Sequence, residues 1–216
     1  MKVLNFTLPK VNTSEVLRYM GVKNPTLEDK NSINSLIENL SLNITPKVVY
    51  EKFSVNINSD KIDLSFTTSN STLIKKVLNC SSEVFLFTAT IGLEIDRLIN
   101  KYSLTSPSTA LFYQALGTER VETLCDEFCA YLSKEISPLA LTKRISPGYG
   151  DIPLSMQKDI FSALNPTKYV GVSLLDSMLM SPTKSVTAIV GLSNCTQKES
   201  NLKCDNCNKT DCDFKK

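Results

Sequence analysis

The chain has 216 residues, 42% hydrophobic and 21% charged, enough apolar material to bury a core without disulfide or metal staples. Its 24 basic and 22 acidic residues give a formal charge of +2, so no strong field draws it to nucleic acid or to an anionic membrane surface. Histidine is absent, which excludes Ser/His/Asp and Cys/His relays and any histidine metal site.

Near the N-terminus Leu4, Phe6 and Leu8 alternate as in a short strand. Asn12 and Glu15 stand at capping-box spacing ahead of Val16 and Leu17, which predicts a short helix ending at Gly21. Over residues 26–42, Ile33, Leu36, Ile37 and Leu40 make one helical stripe. Val49, Phe53, Val55 and Ile57 then alternate as a half-buried strand, with Ile62, Leu64 and Phe66 as its hairpin partner. Leu73, Ile74, Val77 and Leu78 predict a helix, and the apolar run 84–87 predicts a buried strand that leads through Gly92 into a helix reaching Leu98.

Ser106 as N-cap and Pro107 at the first helical position open the longest helix, whose apolar spacing runs through Leu111, Leu116, Val121, Leu124, Phe128 and Leu132. A further helix is expected near 155–164. The apolar runs 169–180 and 185–192 read as paired strands joined by a turn over 181–184. Hairpins interspersed with separate helices make the expected class α+β: a twisted, mainly antiparallel sheet with flanking helices, one of them long. No run has the length a bilayer requires, and the residues after Met1 lack the apolar stretch of a signal peptide, so the expected location is the cytoplasm.

Past Ser193 only Leu202 and Phe214 remain to be buried among five lysines and four acidic residues, so residues 195–216 are expected to form a tail separate from a folded unit over 1–194. Four of the seven cysteines, Cys195, Cys204, Cys207 and Cys212, lie in that tail. Their spacing is compatible with one four-thiolate site, either zinc or an iron–sulfur cluster, with a reduced tail or a redox disulfide as the alternatives. Cys80, Cys125 and Cys129 read as core thiols.

Arg144 stands beside the turn Pro147, Gly148, Tyr149 and Gly150. A guanidinium can grip a small carboxylate through two parallel hydrogen bonds, and a glycine turn lets main chain approach a flat ligand that a tyrosine ring covers. Taken alone the turn could be only a turn. A second segment, Leu175 to Val186 with Met178, Met180, Pro182, Lys184 and Ser185, follows later in the chain.

Together the two segments resemble the activation (reactivation) domain of cobalamin-dependent methionine synthase, in its free-standing form. The resemblance implies S-adenosylmethionine as ligand, bound by Arg144, Pro147, Gly148, Tyr149 and Gly150. Arg144 would pair with the methionine carboxylate and Tyr149 would border the corrin. Anchoring on Phe128 with Tyr131 and Leu132 places the family's acidic residue of the long helix at Asp126. The implied cobalamin is held by a partner, a separate methionine synthase or related corrinoid protein, and the electron comes from a donor such as flavodoxin or ferredoxin. An alternative is a redox protein whose tail cluster is the active element and whose folded unit docks on the corrinoid protein.

Overall fold

The structure, a computed structural model, describes residues 1–38, 43–58 and 61–193. Strand β1 (Lys2–Asn5) is followed by helices α1 (Thr13–Tyr19) and α2 (Leu27–Glu38) and by β2 (Lys47–Ser54). A small meander of β3 (Asn56–Ile57), β4 (Ile62–Asp63) and β5 (Thr68–Ser69) leads into α3 (Thr72–Leu78), β6 (Ser81–Thr90), α4 (Glu94–Tyr102) and α5 (Pro107–Glu135). Then come β7 (Ala140–Leu141), α6 (Met156–Leu164), α7 (Pro166–Val170), β8 (Ser173–Leu174), β9 (Met180–Ser181) and β10 (Ser185–Ser193).

Five of these strands form one antiparallel sheet in the order β1-β2-β6-β10-β7, which is the expected α+β class. Strands β6 and β10 are buried along nearly their whole length, so they occupy the middle, where both sheet faces are covered. On one face Tyr50, Phe87, Ala188 and Val190 pack against α5 around Phe128, whose ring centroid lies 4.8 Å from Phe87 and 5.0 Å from Tyr50. On the other, Val84, Leu86 and Ile189 pack with Ile74 and Leu78 of α3 and Met156, Ile160 and Leu164 of α6. Cores on both faces hold the middle strands rigid between two layers of helix.

Local signals explain most helix ends. The Asn12 side chain accepts from the Ser14 and Glu15 amides to start α1, and Gly21 at φ 81° follows its C-cap. Glu15 does not complete the capping box; it pairs with Arg18 at 2.7 Å, and the Asn12 amide donates instead to Glu119 at 3.0 Å. Thr26 and Asp29 do cap reciprocally ahead of α2, at 2.8 and 3.2 Å. Within α2, Ile33 is buried while Leu36 is 49% exposed, so the stripe is narrower than its periodicity suggests, and Leu40 lies outside the described residues. Pro107 opens α5, but the Ser106 hydroxyl bonds Thr109 at 2.7 Å rather than a helix amide.

Two pairings differ from expectation. Strand β2 hydrogen-bonds β1 on one edge and β6 on the other, so only β3 beyond it is left to meet β4. The Ile62 to Phe66 segment cannot continue as a strand because Ser65 sits at φ 64°, its amide held by Asp63 at 2.8 Å. The run 169–180 is not the partner of 185–192 either. Asn165 and Gly171, both left-handed, bracket the short helix α7, and residues 173–181 close on themselves as the β8–β9 hairpin. Both edges of β10 are taken, by β6 and by β7.

Candidate functional site

The two segments singled out in the sequence flank β10. After β7 the chain stays beside that strand: the Ile145 amide donates to the Ile189 carbonyl at 3.1 Å, and the Ile189 amide returns a bond to Ile145 at 2.8 Å. Ile145 points into the core shared with α6, and its neighbour Arg144 reaches to α5. There one guanidinium nitrogen pairs with Asp126 at 3.2 Å and the other with Glu122 at closer range.

Arg144 and Asp126, both named from the resemblance as ligand contacts, therefore pair with each other in the ligand-free chain, with Glu122 as a second carboxylate that the sequence reading missed. Glu122 lies four residues before Asp126, so the two share a helix face. The Arg144 side chain is 23% exposed, Glu122 39% and Asp126 78%. Burial alone would lower the guanidinium pKa, but Cys125, Glu122, Asp126 and Cys129 outweigh it and hold the pKa above its ordinary value. Burial pushes the Cys125 thiol far up and raises Cys129 as well, with Arg144 opposing in both cases. Neither is a thiolate at neutral pH, and both are free, as expected of core cysteines.

The glycine turn is tightly specified. Gly148 at φ 88° and Gly150 at φ 55° take conformations that cost a side-chain residue energy, and Pro147 just before them is buried. Tyr149, between the glycines, is 57% exposed and holds the turn only through its backbone, to Ser146 at 3.1 Å and Ile152 at 2.9 Å. Asp151 pins the turn to α3: its carboxylate accepts from the Ser71 hydroxyl at 2.5 Å, the Thr72 amide at 2.6 Å, the Thr72 hydroxyl at 2.7 Å and the Leu73 amide at 3.2 Å. Those bonds, the Ser71 hydroxyl first, depress its pKa well below the usual carboxylate range.

The second segment divides into an anchor and a tip. Asp96 of α4 accepts from both the Thr183 amide and the Thr183 hydroxyl, Lys184 reaches Thr118 of α5 at 3.0 Å, and Ser185 donates to the Pro182 carbonyl at 2.8 Å. A Cβ on Gly117 would come within 2.9 Å of the Lys184 stem, so glycine there gives the lysine its path along α5. Burial lowers the Lys184 pKa. At the other end Leu175 and Leu179 are 48% and 64% exposed on the hairpin tip, while Met180 packs with Val49, Val170 and Val172.

Cys195, Cys204, Cys207 and Cys212 lie outside the described residues. Among the described residues no group of three or more His, Cys, Asp or Glu could hold a metal ion, and no helix is long and apolar enough to cross a membrane. Cys80, read with the core thiols, is half-buried and disulfide-bonded.

No protein-family model matches the chain, and no curated protein matches it by sequence. Among solved structures it is similar to the crystal structure of the MetH reactivation domain bound to AdoHcy, at a TM-score of 0.65 and 17% identity over 92% of this chain and 80% of that one. The chain has the fold of that reactivation domain.

Proposed function

We propose that the chain binds S-adenosylmethionine and supports reductive methylation of a corrinoid carried by a separate cobalamin-dependent methionine synthase. The observation that carries this reading is the half-buried Arg144 fork, set beside β10 in a reactivation-domain fold and facing carboxylates on α5. Arg144 would take the ligand carboxylate through paired hydrogen bonds, and the positive-φ backbone at Gly148 and Gly150 would let main chain meet the adenosine. The exposed Tyr149 ring would border the corrin. S-adenosylmethionine supplies the methyl group, and an external donor of the flavodoxin or ferredoxin kind supplies the electron. The chain's own contribution is to hold the ligand at a fixed position and orientation.

Calorimetric titration of the full chain with S-adenosylmethionine tests the assignment. Arg144→Ala is expected to weaken binding by about 100-fold, the loss of two charge-assisted hydrogen bonds. Arg144→Lys keeps the charge but not the fork and should recover only part of it. Unchanged affinity in Arg144→Ala would contradict the site.

A further inference from the structure

Three charged side chains meet where Arg144 reaches α5, and they sum to one net negative charge: Arg144 between Glu122 and Asp126. The two carboxylates are four residues apart on one helix face and repel each other, so the guanidinium between them is what makes the arrangement favourable. A ligand carboxylate that takes Arg144 arrives among these two carboxylates. A plain anion would leave three carboxylates around one guanidinium. A ligand with a cation next to its carboxylate, as in an α-amino acid, brings its own compensation, because its ammonium can take the carboxylate that it displaces.

Glu122 is the better placed of the two for that exchange. Its side chain is 39% exposed against 78% for Asp126, so water screens its pairings less. It also lies near enough to the Tyr19 phenol to add to the upward shift that burial causes there.

We propose that Glu122 determines the charge class of the ligand: it holds Arg144 in the ligand-free chain and becomes the acceptor of the ligand's ammonium once the ligand carboxylate occupies the guanidinium. This rests on the proposed S-adenosylmethionine site and adds a selection for zwitterions over simple anions. The carboxylate of Glu122 changes partner from guanidinium to ammonium, with no covalent step and no net proton transfer.

The test is calorimetry on the full chain with S-adenosylhomocysteine and with its desamino analogue, which keeps the carboxylate and lacks the ammonium. The chain with Glu122 should prefer the amino compound by about tenfold or more, the worth of one charge-assisted hydrogen bond. In Glu122→Gln the preference should shrink to about threefold or less, and Glu122→Asp, which keeps the charge one methylene shorter, should restore part of it. The ratio is read within each variant, so a general loss of affinity does not imitate the result. The same ratio with Glu122 and with Gln would overturn the ammonium assignment and leave the Arg144 site standing. Failure of the unmodified chain to bind either nucleoside would overturn both.

Discussion

Replacing Glu119 by alanine removes the acceptor on which a buried guanidinium depends. Glu119 and Arg120, adjacent in α5, are each 3% exposed. Glu119 accepts from Arg120 Nε at 2.5 Å and Nη2 at 2.6 Å, from the Asn12 amide at 3.0 Å and from Thr123 at 3.1 Å. Arg120 donates in turn to the carbonyls of Pro9 at 2.6 Å and Lys10 at 3.3 Å. The pair thereby straps residues 9–12, and the start of α1, onto the helix that carries Glu122 and Asp126. In Glu119→Ala the guanidinium stays buried without its counter-charge, a loss of about 3–5 kcal/mol. That is a large fraction of the roughly 5–15 kcal/mol typical of a folded domain. Joint replacement by Glu119→Leu and Arg120→Met removes the orphaned charge but leaves the Pro9 and Lys10 carbonyls and the Asn12 amide without partners, so it should recover only part of the loss. Urea denaturation followed by circular dichroism reads the effect as a lower midpoint at unchanged slope. A Glu119→Ala variant within about 1 kcal/mol of the parent would refute the reasoning, because a lone buried charge cannot be that cheap.

Asp151→Asn should loosen the glycine turn from α3, seen as lower stability and faster amide exchange at Ser71 to Leu73. Because the folded-state pKa of Asp151 is depressed, its contribution is fully present above the unfolded value of about 4 and is lost as pH falls below it. The stability gap between the two proteins should therefore be flat from about pH 5 to 8 and close in acid, and a gap independent of pH down to about 2 would contradict the tether. Gly148→Ala meets nothing nearer than Leu154 at 3.6 Å, so only its φ of 88° resists the change. A loss of about 1–2 kcal/mol without a crowding penalty is expected by thermal melting, and no loss would mean the turn is not left-handed there.

Elements that depend on local pattern were legible in the residues. The apolar spacing from Leu111 to Leu132 behind Ser106 and Pro107 matches α5, and the expected helix over 155–164 matches α6. Strand pairing was not legible, because β10 finds its partner β6 about a hundred residues earlier, through register that no local window contains. The run at Tyr169 and Val170 has the apolar residues of a strand, whereas Pro166 and Gly171 at its ends were the helix start and stop signals that won. At the site, the guanidinium, the glycine turn and Asp126 were visible as residue types. Glu122 could have been found by stepping one helical turn back from Asp126. Asp151 and the Glu119–Arg120 pair could not, since their partners lie 78–80 and 107–111 residues away.

The most direct test is anaerobic: cobalamin-loaded methionine synthase without a reactivation domain of its own, poised as cob(II)alamin, with S-adenosylmethionine and a reduced flavodoxin or ferredoxin. Absorbance should show conversion to methylcobalamin when this chain is added, and not when it is omitted or carries Arg144→Ala. Conversion at the same rate without the chain, or undiminished with Arg144→Ala, would contradict the account.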